Sequence, residues 1–90
     1  MIIDVVDVEV AGPFRLRVLF SNGSEGVYDM SYVRDLTGPV VEPLHDPEEF
    51  ARAFVDYGAV TWPSGFDICP DSLYARMRDA GAFKSREAAE

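Results

Sequence analysis

The stretch "FRLRVLFSNGSEGVYDM" (residues 14–30) decides the fold, because apolar and polar residues alternate on both sides of an Asn-Gly turn. Alternation with a period of two is typical of β-strands that bury one face. The side chains predicted to face the core in the first half are Phe14, Leu16, Val18 and Phe20. A three-residue loop at 21–23, with Gly23 in the left-handed conformation, keeps the next strand in phase. The residues that this loop turns inward are Gly26, Tyr28 and Met30.

The segment before this hairpin, "IIDVVDVEV" (residues 2–10), alternates in the same way and predicts a third strand of an antiparallel meander. Its predicted inward residues are Val6, Val8 and Val10. With the turn at 11–13, we expect Val10 to lie opposite Phe14. Two outer cross-strand pairs are then opposite in charge, as neighbouring side chains on a sheet should be: Glu9 with Arg15 and Asp7 with Arg17.

A meander with one apolar face needs a cover, and "DPEEFARAF" (residues 46–54) predicts a helix that supplies it. Asp46 is a good N-cap, and Pro47 suits the first helical position. Glu49 follows the cap by three residues and completes the pattern of a capping box. We therefore expect a helix over 47–54 that packs Phe50 and Phe54 against the sheet.

Residues 55–68 are predicted to form a short hairpin. Tyr57-Gly58 and Ser64-Gly65 have the composition of turns and mark its corners. Trp62 lies in this hairpin and Cys69, the only cysteine of the chain, directly follows it, so the stretch 61–70 gathers unusual residue types. The same composition suits either a corner of the fold or a binding surface.

The C-terminal part predicts a second helix from about residue 71, with Asp71 or Ser72 as its cap and Gly81 as its end. Residues 82–90 are polar and are expected to form a frayed tail. The predicted class is α+β, with a three-stranded antiparallel meander and a short C-terminal hairpin packed with one or two helices. A single domain over 1–81 follows from the length.

Composition restricts the partners. The formal net charge is −8, and residues 1–70 contain 12 acidic and 4 basic side chains. This excess repels phosphate, so we expect no direct nucleic-acid binding and no membrane contact, whereas a small basic protein is a favourable partner. One cysteine, no signal peptide and no long apolar run predict a soluble, cytoplasmic, bacterial-type protein.

The sequence carries little that resembles catalytic chemistry. His45 is the only histidine, and Cys69 is the only cysteine. A Cys69–His45 pair is conceivable, but Asp67 and Asp71 disfavour the thiolate that a nucleophile needs. We therefore expect Cys69 to be a small core residue, and we expect no catalytic residues and no cofactor. One cluster of carboxylates has ligand types that suit a divalent cation, although capping explains part of it: Glu42, Asp46, Glu48 and Glu49.

The predicted function is therefore a non-catalytic protein-binding module, with a small-ligand or divalent-metal-binding sensor domain as the alternative. Aromatic side chains at a surface are common interface anchors. The candidate interaction surface consists of Tyr57, Trp62, Phe66 and Asp67. Core packing is the competing interpretation for Trp62, and homodimerisation through an exposed edge of the meander is a further possibility.

Two segments resemble the bacterial family called domain of unknown function 2442. They are "LRVLFSNGSEGVYDMS" (16–31) and "LHDPEEF…VDYGAVTWPSGFDICPDSLY" (44–74), of which the second is the more specific; Ser64 stands where the family most often has Asn. The resemblance implies a small α+β fold and no established activity. It also implies that the chain is the acidic, antitoxin-like member of a small two-protein system.

Overall fold

The computed structural model describes residues 3–83 and contains two three-stranded antiparallel sheets. The strands are β1 (Val5–Gly12), β2 (Arg15–Phe20), β3 (Glu25–Asp29), β4 (Phe54–Asp56), β5 (Ala59–Thr61) and β6 (Asp67–Ile68). The helices are α1 (Pro47–Phe50) and α2 (Pro70–Asp79), and 3-10 turns occupy Ser31–Asp35 and Glu42–His45. The α+β class and the meander are confirmed. No helix in this described part is long and apolar enough to cross a membrane.

The β2–β3 hairpin has the predicted loop. The Phe20 N–H donates to the Ser24 carbonyl at 2.8 Å, and the Gly23 N–H donates to the Phe20 carbonyl at 2.9 Å. Gly23 has φ +90°, a conformation that glycine adopts without a steric penalty. The predicted inward positions of both strands are buried: Leu16, Val18, Phe20, Gly26, Tyr28 and Met30.

The predicted register of the β1–β2 hairpin is wrong. Val10 pairs with Leu16 instead of Phe14. The reason is the turn, in which Pro13 and Phe14 form the two central residues after Gly12. Proline fixes its own φ and favours the position it holds here, so the turn lies later in the chain than the expected loop at 11–13.

The shift changes the charge pairs on the outer face. The predicted pairs Glu9–Arg15 and Asp7–Arg17 are absent from the register, and Glu9 pairs with Arg17. The Arg17 guanidinium forms ion pairs with Glu9 and, at 2.8 Å, with Glu25 on β3. All three side chains are at least partly exposed, so this network contributes little to the free energy of unfolding.

A bulge in β1 changes which valines face the core. The register shifts between Val5 and Asp7, so Val5 is buried and Val6 is exposed. Val10 is also exposed, and it lies beside a second register shift, between Val10 and Gly12. Only Val8 of the three predicted inward valines packs against the core. A bulge inserts one residue and reverses the side-chain phase beyond it, which alternation alone does not predict.

The predicted helix over 47–54 is too long. Asp46 is the N-cap as expected, and its carboxylate accepts from the Glu48 N–H at 3.0 Å. The helix nevertheless ends at Phe50, and Phe54 begins β4 and is exposed. Pairing of 54–56 with β5 takes precedence over local helix propensity, which is a weak determinant.

The second half of the predicted capping box does not form. The Asp46 N–H donates to the Pro43 carbonyl at 3.2 Å instead of to a glutamate side chain. Glu49 accepts from Arg52 at 3.5 Å. Because the N–H of the cap residue already has a backbone partner, Glu49 has no orphan donor to satisfy.

The second helix starts one residue earlier than predicted. Its N-cap is Cys69, with Pro70 at the first helical position, so neither Asp71 nor Ser72 is the cap. Gly81, at φ +68°, ends the helix as expected.

The predicted boundary of the tail also changes. Phe83 forms a bridge with Gly26 at the edge of β3, and its ring packs against Tyr74 at 4.9 Å and Phe20 at 5.8 Å. A Cβ on Gly26 would lie 2.1 Å from the Ala82 carbonyl oxygen, so glycine permits this close approach. Ala82 and Phe83 therefore belong to the folded part, and the rest of the predicted tail, 84–90, lies outside the described residues.

Candidate functional site

The outer side of the second sheet is the candidate site. Phe54 pairs with Thr61, and Thr61 pairs with Asp67, so these three side chains form one row across the sheet. Asp56 and Ala59 form a second row on the same side. We call these five residues the β4–β6 face. Phe54 is 43% exposed, which is unusual for so large an apolar ring and leaves it available for contact.

Tyr57 lies at the tip of this sheet, in the turn between β4 and β5. Its side chain is 99% exposed. Its φ is +51° and that of Gly58 is +76°, as in the type I′ turn that joins two-residue hairpins. A tyrosine at a positive φ is uncommon, because its Cβ crowds the backbone there.

Phe14 is the other non-glycine residue with a positive φ in residues 3–83, and its situation is different. The Phe14 ring is buried, lies 5.4 Å from the ring of Phe50 and has the Arg34 guanidinium 5.1 Å above it. Burial of the ring offsets the backbone strain at Phe14. No contact within the described chain does so for Tyr57.

The charge around the tip is negative. Asp56 and Asp67 are exposed on the β4–β6 face, and none of the five positions of the face is basic. The Asp4 carboxylate lies against Gly58, where an added Cβ would come within 2.6 Å of its oxygen. Carboxylates of three chain segments therefore lie on or beside the sheet that carries the exposed rings of Phe54 and Tyr57.

Trp62 does not belong to the surface on which the sequence placed it. It is 1% exposed, and its indole N–H donates to the Phe50 carbonyl at 2.8 Å. Phe66 is half-buried, with its ring 5.5 Å from that of Trp62. Of the predicted interaction residues, Tyr57 and Asp67 are exposed, and their role in binding stays a prediction. Phe54 was missed because the sequence assigned it to a helix face.

The Ser64-Gly65 corner fixes the backbone next to Trp62. The Trp62 N–H donates to the Phe66 carbonyl, and the Gly65 N–H donates to the Trp62 carbonyl, both at 2.9 Å. Ser64 fixes the loop with a 2.6 Å hydrogen bond from its hydroxyl to the Val40 carbonyl. The unusual residues of this stretch thus build a loop of the same kind as that at Gly23.

The two residues considered for catalysis have separate surroundings. Cys69 is exposed at the start of α2, which contradicts its predicted place in the core. His45 is hydrogen-bonded through Nε2 to the Leu36 carbonyl at 2.9 Å, and Nε2 is the donor because a carbonyl oxygen only accepts. That the chain has no catalytic residues stays a prediction.

The carboxylates considered as ligands for a divalent cation are not assembled as a metal site. Within residues 3–83, no group of three or more His, Cys, Asp or Glu side chains is placed to hold a metal ion. Glu42 accepts from the Gly38 N–H at 3.2 Å, and Asp46 caps α1. These carboxylates therefore stabilise local backbone turns.

The chain is similar to a protein of known structure. The crystal structure of "Putative DNA Binding Protein NE0471 from Nitrosomonas europaea ATCC 19718" aligns with a TM-score of 0.69 and 31% sequence identity over 90% of this chain and 53% of that one. This chain thus spans about half of the length of that protein. No curated protein matches the chain.

This similarity contradicts the expectation that the chain makes no direct contact with nucleic acid. The expectation rested on the net charge, which averages over the chain. It does not report where individual arginines lie or which of them have acidic partners.

The family assignment rests on most of the chain. The family described as "Protein of unknown function (DUF2442)" matches residues 5–79. This range includes both sheets and the whole of α2. The chain therefore belongs to the DUF2442 family of proteins of unknown function.

Proposed function

We propose that this chain is a non-catalytic protein-binding module that docks a protein with a basic surface on the β4–β6 face and the adjoining Tyr57 tip. Tyr57 carries the proposal. Its backbone conformation destabilises the fold by about 1–2 kcal/mol relative to a residue suited to the turn. Its exposed ring makes no packing contact within the described chain that would offset this strain. A partner that covers the ring would supply that packing.

The chemistry of the face supports a basic protein as the partner. Aromatic rings such as Phe54 and Tyr57 bury a large area with few rotatable bonds, which makes them effective interface anchors. Asp56 and Asp67 beside them favour arginine or lysine on the partner, which would raise the rate of association and select against acidic surfaces. This arrangement agrees with an acidic, antitoxin-like member of a two-protein system.

Capture with matched variants tests the proposal. We expect the immobilised chain to retain one basic protein from a lysate of its native host at low salt. We expect Phe54→Ala to weaken binding of that purified protein about tenfold. Val27→Ala is the control, because Val27 is also 43% exposed but lies on the other sheet. Equal retention of the partner by the unchanged chain, Phe54→Ala and Val27→Ala would contradict the proposed face. Failure of all three to retain a basic protein would also contradict it.

Binding of DNA is the second candidate function, favoured by the similarity to the NE0471 protein. If the chain binds duplex DNA, the anisotropy of a labelled oligonucleotide should rise with protein concentration at low salt. The logarithm of the association constant should then fall linearly with the logarithm of the salt concentration. The reason is that arginines bound to phosphates displace counterions from the DNA. An unchanged anisotropy at low salt would reject this candidate and leave the protein-binding proposal unaffected.

A further inference from the structure

Three polar side chains from separate elements meet on the side of the meander that faces α2. Tyr28 lies on β3, Tyr32 in the 3-10 turn 31–35, and Arg76 on α2. The two hydroxyl oxygens are 3.2 Å apart, and Arg76 Nη1 donates to the Tyr32 hydroxyl at 3.2 Å. The Tyr28 side chain is buried and that of Tyr32 is half-buried, so the protein fixes both hydroxyls in place.

Arg76 has no acidic partner within the described part of the chain. Arg17, Arg52 and Arg78 each form an ion pair with a carboxylate, but no carboxylate of residues 3–83 lies within 4.0 Å of the Arg76 guanidinium. Within residues 3–83 of a chain with net charge −8, Arg76 hydrogen-bonds to a tyrosine hydroxyl and forms no ion pair. No carboxylate of these residues competes with a ligand for its charge.

The cluster formed by these three side chains has many donors and few acceptors. A guanidinium presents five N–H groups, and each tyrosine presents one O–H. The hydrogen bonds inside the cluster use only a minority of these donors. Groups that converge with spare N–H and O–H donors around one positive charge suit an oxyanion, and the planar fork of arginine matches a phosphate group.

The ionisation of the cluster favours the same ligand. Burial, and next the hydrogen bond between the Tyr32 and Tyr28 hydroxyls, raises the pKa of Tyr32 to about 12. The Tyr32 hydroxyl therefore keeps its proton at neutral pH and does not repel an anion. The hydrogen bond with Tyr28 also raises the pKa of Arg76, so its guanidinium stays charged.

We propose that Tyr28, Tyr32 and Arg76 form a binding site for a phosphate group. Arg76 binds two phosphate oxygens through its free N–H groups, and a tyrosine hydroxyl donates to the same group. The site lies outside the β4–β6 face and does not depend on the protein-binding proposal. A free phosphate-containing molecule and a nucleic-acid backbone share this chemistry, and the experiment below distinguishes them.

Titration of the full chain with inorganic phosphate at constant ionic strength, followed by ¹H–¹⁵N NMR, tests the site. We expect saturable shifts of the Arg76 Nε–H and of the backbone amides at 28 and 32. Arg76→Ala should weaken binding at least about tenfold, and Tyr32→Phe several-fold, because charge-assisted hydrogen bonds to phosphate are lost. Arg78→Ala should leave the affinity unchanged, since Arg78 is exposed two residues away and pairs with Asp79 at 3.5 Å.

Non-saturating shifts, or a saturable shift that Arg76→Ala leaves intact, would overturn the proposal. Equal losses in Arg76→Ala and Arg78→Ala would also overturn it, because they would indicate general attraction to a positive surface. A parallel titration with a short DNA duplex distinguishes the two sources. If the duplex shifts the same amides and competes with phosphate, the site binds nucleic-acid phosphate. If only inorganic phosphate shifts them, the site binds a small phosphate-containing ligand.

Discussion

Replacing Trp62 by alanine should lower the free energy of unfolding by about 3–5 kcal/mol, a large share of the stability of so small a domain. The indole is buried between the rings of Phe50 and Phe66, whose centroids lie 5.7 and 5.5 Å away. Its removal leaves a cavity between α1 and the second sheet. It also leaves the Phe50 carbonyl without the indole N–H that donates to it.

Trp62→Phe separates these two effects. It preserves most of the ring volume but removes the donor, so we expect it to cost about 1–3 kcal/mol, the usual penalty for a buried polar group that loses its partner. Urea denaturation followed by far-UV circular dichroism measures both variants. A loss below about 1 kcal/mol for Trp62→Ala, as for a typical surface substitution, would contradict the burial of the side chain.

The first sheet could be largely predicted because its determinants are local. Alternation fixes which face of β2 is buried, and Gly23 fixes the loop into β3. The pairing with β1 could not be predicted as well. It depends on the turn at Pro13-Phe14 and on a bulge after Val5, and each moves the register by a small number of residues without changing the pattern of apolar residues.

The candidate site could be predicted only in part, because its residues depend on contacts between distant segments. Phe54 has a helix-like spacing from Phe50, and only the pairing of 54–56 with β5 shows that it lies on an exposed strand. The buried indole of Trp62 donates its hydrogen bond to the Phe50 carbonyl, twelve residues away. Tyr57 was correctly placed at a turn, because Tyr-Gly between two apolar segments is a local signal.

The residues of the proposed phosphate site could not be predicted from the sequence either. Tyr28 and Tyr32 are close in sequence, but Arg76 is 44 residues from Tyr32. Nothing in the sequence distinguishes Arg76 from the arginines that pair with carboxylates. The net charge does not identify Arg76 as a candidate, because an excess of acidic residues does not imply that each basic residue has an acidic partner.

Tyr57→Asn should affect folding and binding in opposite directions. Asparagine tolerates a positive φ, and Asn-Gly is the preferred pair for a type I′ turn, so we expect relief of the strain to raise the free energy of unfolding by about 1–2 kcal/mol. The same change removes the fully exposed ring proposed as the centre of the interface. We expect the affinity for the basic partner to fall by at least about thirtyfold, as for an interface hot spot worth 2 kcal/mol or more.

Tyr57→Phe is the matched control, since it keeps the ring and the backbone strain and removes only the hydroxyl. It should leave the free energy of unfolding unchanged and retain most of the affinity. Urea denaturation and isothermal titration calorimetry on the same preparations measure the two quantities. If Tyr57→Asn destabilises the fold, the ring has a packing role within the chain. If it stabilises the fold without weakening binding, the partner does not contact Tyr57. Only a gain in stability combined with a loss of affinity agrees with a strained residue whose ring serves a partner.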